Sequence, residues 1–408
     1  MNKNIKLAVA GAVLALSASA NAGIIIPAGD WTLDIGGNVN TFVTNTRASG
    51  SATIVGGYNG FVGGANAGAE KNASNITTGL LPNYLSVSGT TRQNDLDVAF
   101  TISINPGSST SQGGKQSAHQ ENRQAFMTFG DKSWGSIKLG KDLGVFAGTA
   151  ILNDMTLLGV GSGAGGLGNA GNTTTIGGIG SGYIYADWKA QAAYTSPNFS
   201  GFQFTLAATQ GWNTIADAGS SISLATTGRS GSAPAAEGQI SYSWTGATSG
   251  KLWSSGIVQK VNHNSTSVAL DDDRAQAADI GANLNFGDFG LTGYAYKADG
   301  LGTTIQFMDA YTATGKQRKS DGGYVQATYV MPSKTKIGLA YGISNLDRHS
   351  SDSDTTLVKE NERTTLGAYH PLTKHLNIVA EYNDARSQNQ AGAENKARTI
   401  SLGGILFF

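Results

Sequence analysis

Period-two alternation, repeated through almost the whole chain, constrains this sequence more than any other feature. Trp31, Leu33, Ile35, Gly37, Val39, Thr41 and Val43 are interleaved with polar residues such as Asp34, Asn38 and Asn40, the pattern of a strand with one apolar and one wet face. It recurs at 85–89, 96–104, 125–129, 137–139, 184–194, 202–208, 240–244, 253–261, 278–286, 291–295, 325–329, 337–343, 366–368, 376–382 and 400–408. That makes about sixteen strands, an even number as bacterial barrels require. After residue 22 no window approaches the ~20 consecutive apolar residues of a membrane helix. If the chain sits in a bilayer it must be a closed barrel, because only helices and barrels satisfy every backbone group in lipid.

The two ends agree. Residues 1–22 carry Lys3 and Lys6, an apolar run at 7–16, and small residues closing on Ala20, Asn21 and Ala22. This predicts a secretory signal peptide over 1–22 and a barrel domain over 23–408. The last strand places Ile400, Leu402, Gly404, Leu406 and a terminal Phe408 on one face, an edge that a barrel closes against its first strand.

Composition narrows the function. Hydrophobic residues make up only 39% of the chain, which suits strands that are apolar on one face. The 28 basic and 28 acidic residues balance, which argues against a nucleic-acid partner. Cysteine is absent, excluding thiol chemistry and disulfides. The five histidines are scattered, and no serine–histidine–carboxylate array or carboxylate pair follows from spacing, so neither an enzyme nor a metal or cofactor site is expected. Asp271, Asp272 and Asp273 form a charge run of the kind usually just solvated.

Connections alternate in length. Short turns at 131–133, 196–201, 245–250, 287–290, 331–334 and 370–374 alternate with long stretches at 46–82, 105–121, 142–182, 211–236, 262–275, 298–320, 345–360 and 384–396. Short periplasmic turns and long outer loops are the asymmetry of outer-membrane barrels. Where strands meet short turns, Phe129, Tyr194, Phe202, Trp244, Trp253, Phe286 and Tyr329 read as an aromatic girdle, with Trp31 and Phe408 at the same level.

These residues are similar to the general porins of Gram-negative outer membranes, which are sixteen-stranded homotrimeric channels. The stretch WGSIKLGK at 134–141 resembles that family's fifth strand, YTSPNFSGF at 194–202 its turn between strands six and seven, and Phe408 its carboxyl-terminal assembly signal. The resemblance implies a transmembrane antiparallel barrel with a long third loop folded inward. It implies passive diffusion of small hydrophilic solutes and ions, weakly charge-selective. A substrate-specific channel is the alternative; it would need an aromatic slide or a dense charge ladder, and Tyr294 and Tyr296 are two inward rings on one strand. The implied location is the outer membrane. The implied partners are two further copies of the chain, outer-membrane lipid and lipopolysaccharide, and the assembly machinery.

By the same resemblance the constriction is formed by loop 142–182. NDMTLLG at 153–159 resembles the family's acidic loop segment and makes Asp154 an eyelet acid. Lys141 stands where the family usually has an arginine, facing Asp154 across the opening. Lys138, Asp187 and Lys189 have inward parity and extend the constriction. On the far wall Arg363 and Glu381 also point inward and could pair with each other. Thr156, Leu157 and Leu158 stand where the family commonly has a glutamate, so the expected ladder of charge is thin.

Overall fold

The computed structural model describes residues 23–51, 71–108, 120–163, 174–212, 229–230, 233–262, 273–312, 315–352 and 354–408. The expected signal peptide, Asp271 and Asp272 lie outside them. One antiparallel sheet contains β1 (Ile24–Ala28), β2 (Trp31–Gly50), β3 (Asn72–Thr77), β4 (Tyr84–Gln93), β5 (Leu96–Pro106), β6 (Gln120–Asp131), β7 (Gly135–Leu143), β8 (Trp188–Thr195), β9 (Phe202–Thr209), β10 (Arg229–Ser230), β11 (Ala235–Trp244), β12 (Thr248–Asn262), β13 (Asp273–Phe286), β14 (Phe289–Asp299), β15 (Lys319–Val330), β16 (Lys336–Asp347), β17 (Val358–Pro371), β18 (Leu376–Asn389) and β19 (Glu394–Phe407).

The sheet closes on itself. β19 pairs with β2 from Asn395↔Gly50 to Phe407↔Asn38, and β9 pairs with β11. β3 and β4 pair with opposite ends of β2 and together make one interrupted wall strand. β1 continues past the end of β19 by pairing with the start of β2, and β10 is a two-residue addition to β12. The wall is a sixteen-stranded barrel. No helix among the described residues is long and apolar enough to cross a membrane.

Alternation becomes inside and outside. Val43, Ile102, Leu206, Ile280, Leu366 and Ile400 are exposed on the outer face, where lipid takes the place of a core. Turn chemistry sets the short end: Asn94 and Asp95 both have positive φ (48° and 63°) between β4 and β5, as a two-residue hairpin turn with the twist of its strands requires. The girdle is visible there as ring pairs, Trp31–Phe100 at 5.6 Å, Phe286–Phe289 at 6.0 Å and Phe289–Tyr329 at 4.6 Å.

Four expectations need correction. The stretch 46–82 is not one connection, since β2 runs to Gly50 and β3 occupies Asn72–Thr77. Trp253 is not in the girdle: it faces inward with Ser255 and Ile257 and is buried, while Leu252 and Val258 face out. Residues 184–187 are not the start of the sixth wall strand, which begins at Trp188; Ile184 and Ala186 are buried inside the barrel. The stretch 384–396 is mostly hairpin, since β18 runs to Asn389 and β19 resumes at Glu394.

The packed apolar interior lies inside the barrel. Phe146, Ala150, Ile151 and Tyr183 of the long connection meet Trp253, Ile257, Tyr294 and Tyr324 of the wall. Tyr294 and Tyr296 do face inward, but they are covered by this packing and present no aromatic slide to water.

Candidate functional site

The connection from β7 to β8, described over 144–163 and 174–187, enters the lumen and crosses it. A bend at Ala147 (φ 60°) starts a short helix, α1 (Gly148–Leu152), followed by a 3-10 turn, Met155–Leu158. A backbone so buried must find partners for every polar group, and the wall supplies them.

At the first bend, Val145 and Phe146 both donate their N–H to Glu237 Oε2 at 2.8 Å. Glu237 Oε1 accepts from Lys189 Nζ at 2.6 Å and from Thr209 at 3.0 Å. Ala147 N–H donates to Ser255 Oγ, and the Ser255 backbone N–H and hydroxyl both donate to Asp279. Gln326 accepts from Met155 N–H at 2.9 Å and donates to Asn153 O at 2.7 Å. Tyr324 donates to Ala150 O. Further on, Val160 and Gly161 both donate to Glu381 Oε2 at 2.8 Å, and Tyr369 donates to Glu381 Oε1.

Asp154 caps the 3-10 turn. It accepts from Thr156 N–H, from Thr156 Oγ1 and from the Tyr183 hydroxyl at 2.8 Å. Arg363 Nη2 lies 3.5 Å from Oδ2, the oxygen that also accepts from Tyr183, and both side chains are 0% exposed. Burial and the Asp154 charge push the Tyr183 hydroxyl well above its ordinary range, so it stays a donor. Where Gly178 passes, a Cβ would collide with both the Asp154 carboxylate and the Arg363 guanidinium.

The far edge of the loop is held by the interruption between β3 and β4. Leu80 N–H donates to Gly159 O, and Thr175 N–H to Gly79 O. Asn40 receives Gly79 N–H and donates to Leu81 O, and Asn38 donates to Pro82 O. A second inward segment, described over 300–312 and 315–318, seals against the first: Tyr185 N–H donates to Thr304 O, and Gln306 bridges Tyr185 O and Ala186 O to the Lys189 ammonium.

The expected site residues distribute unevenly. Lys141 is exposed on the outer face and donates to Asn122 O; it does not meet Asp154, because in β7 it shares parity with the outward Ile137 and Leu139. The cation beside Asp154 is Arg363. Arg363 and Glu381 do not pair with each other, each holding a different part of the loop. Lys189 is 1% exposed and bound by Glu237. Asp187 (φ 56°) lies just before β8 and accepts from Trp188 N–H; burial pushes its carboxyl up. Lys138 faces the lumen, paired with Asp142. Glu237, Asp279 and Gln326 were not anticipated, although each has the inward parity of its strand.

Water still reaches the half-buried Ser86, Ser88, Gln124 and Lys138 on the wall, and Leu152, Asn153 and Leu158 on the loop. A closed barrel with a wet inner face, narrowed by a loop, is channel architecture. The sequence matches the profile of the Gram-negative porins over residues 7–390. The chain belongs to this family. Among solved structures the porin is similar to the outer-membrane channel DcaP of Acinetobacter baumannii, at 16% identity over 94% of this chain and 99% of that one, TM-score 0.67. It is also similar to an anion-selective porin from Comamonas acidovorans, at 15% over 93% and 100%, TM-score 0.62. The trimer form of OmpT of Vibrio cholerae matches at 11% over 93% and 99%, TM-score 0.51. At these identities the likeness is one of fold. Compared with curated protein sequences, the chain has no significant match. The porin is a multi-pass protein of the outer membrane.

Proposed function

We propose that this outer-membrane channel passes small hydrophilic solutes and ions by diffusion, with weak charge selectivity, and works as a homotrimer in contact with outer-membrane lipid and lipopolysaccharide. The observation that carries the reading is the inner loop itself. It is fastened to the wall by Glu237, Gln326, Arg363 and Glu381, so it narrows the lumen permanently rather than acting as a gate. Asp154, Lys189, Arg363 and Glu381 serve the constriction by positioning that loop, while Lys138, paired with the buried Asp142, borders the water. The trimer form of one structural neighbour supports the assembly.

Reconstitution in planar bilayers and liposomes tests this. Stepwise ohmic conductance is expected, with swelling rates that fall smoothly with sugar size, from a complex that runs as a trimer until heated. Saturable uptake of a single solute would indicate a substrate-specific channel instead. Absence of conductance from correctly folded protein would end the reading.

A further inference from the structure

The fastened loop changes which charges the lumen presents. Asp154, Glu237, Asp279 and Glu381 are buried and already accept hydrogen bonds from the loop or the wall. Asp154 and Glu237 are met by Arg363 and Lys189, while Asp279 and Glu381 are buried behind neutral hydroxyl and backbone donors and do not face the water. What remains toward the short-turn end of the loop-bearing wall is two lysines.

Lys251 lies on the inner face of β12, one inward position before Trp253, which packs beneath the loop. Lys336 lies on the inner face of β16, one inward position before Gly338, which packs close to Met155 of the loop. The Lys336 ammonium sits 5.2 Å from the Tyr369 ring centre, and the Tyr369 hydroxyl in turn donates to Glu381. Both lysines are half-buried, and neither has an ion-pair partner among the described residues. Their inward neighbours on this part of the wall are neutral, for example Ser249, Asn283 and Thr328.

The opposing acids are placed differently. Asp97 and Asp131 sit at the short-turn rim and share Arg92, at 2.8 and 3.1 Å. Asp142 is paired with Lys138. Asp34 stands alone on β2, two inward positions from Asn38, the residue that helps to hold the loop's far edge. On the short-turn side of the loop two free ammonium groups therefore face the water, while the free carboxylate of that side, Asp34, lies further out. In a water-filled passage with low-dielectric walls, an unpaired charge at the narrows governs ion preference.

We propose that Lys251 and Lys336 are the specificity-determining residues of this channel and make small monovalent anions, chloride and organic carboxylates alike, its favoured ionic solutes. The proposal rests on the channel reading above. Reversal potentials in a tenfold potassium chloride gradient test it. The wild type should pass chloride over potassium, the Lys251→Glu/Lys336→Glu double variant should reverse that preference by severalfold, and the Lys251→Arg/Lys336→Arg variant should keep it. Replacing chloride by acetate should leave the wild-type sign unchanged. If the double variant does not assemble, the wild type still decides: its anion preference must shrink in molar salt, where these charges are screened. A cation-preferring wild type, a ratio indifferent to salt, or an unchanged ratio in a conducting double variant would each overturn the proposal. Failure to conduct at all would instead count against the channel reading.

Discussion

The ion pair between Asp154 and Arg363 shows how far one residue's role can move while its identity is read correctly. Asp154 is where the family's acidic loop segment predicts a carboxylate, yet it is buried and its charge is met by Arg363. The partner expected from sequence, Lys141, lies on the outer face. Parity already separated the two, since Lys141 alternates with inward Lys138 and Asp142 rather than with outward Leu139. Removing Arg363 leaves Asp154 buried and unpaired, a loss on the order of 3–5 kcal/mol. Arg363→Ala should therefore loosen the loop, raise single-channel conductance and lower the thermal transition of the folded protein. Lys141→Glu should alter neither conductance nor reversal potential. Conductance unchanged in the first variant, or altered selectivity in the second, would show that these positions are assigned to the wrong side of the wall.

At the scale of elements, each of the sixteen wall strands was legible at least in part, because lipid on one side and water on the other enforce alternation; β3, half of the second wall strand, was read as connection. Reading failed where that asymmetry fails. Above the bilayer both faces are wet, so the ends of β17, β18 and β19 carry charge on the outer face and looked like loop; there Arg386 meets Glu360, Glu362 and Glu394. Under the inner loop both faces are apolar, so Trp253 and Ile257 mimicked a lipid-facing row. Ile184 and Ala186 alternate as a strand would, yet they are loop residues with a packed environment of their own. The anchors Glu237 and Asp279 were missed because a lone inward carboxylate does not announce the backbone it will bind. One element outside the membrane is testable through acid. Arg318 grips Asp352 with two bonds, 2.9 and 2.8 Å, joining segment 300–318 to the loop before β17. Burial alone would raise the Asp352 carboxyl, but Arg318 holds it below its usual range. A depressed folded value means stabilisation present above the unfolded value, near pH ~4, and lost as pH falls through the folded one. Asp352→Asn should make segment 300–318 more protease-sensitive at pH 7, with the difference from wild type closing in strong acid. Equal resistance at pH 7 would mean that the clamp does not hold the segment.

For the whole molecule, the decisive event is closure, since an open sheet edge in lipid leaves a row of unpaired backbone groups. The ladder between β19 and β2 finishes with Gly37 N–H donating to Phe408 O at 2.8 Å and Phe408 N–H donating to Gly37 O at 3.1 Å. The chain's last residue thus forms the last rung. Gly37 makes room for it: a Cβ there would collide with the Tyr84 carbonyl and press on the Phe408 ring. Deleting Phe408 removes both a rung and the aromatic end that resembles the assembly machinery's signal, so membrane insertion should fall sharply. Gly37→Val crowds the same seam from the opposite strand while leaving that signal intact. The two variants separate the roles. If the signal dominates, the deletion should depress insertion in cells far more than in refolding from urea into detergent, whereas Gly37→Val should impair both alike. If the deletion inserts in cells at the wild-type level, Phe408 is a packing residue of the seam and nothing more.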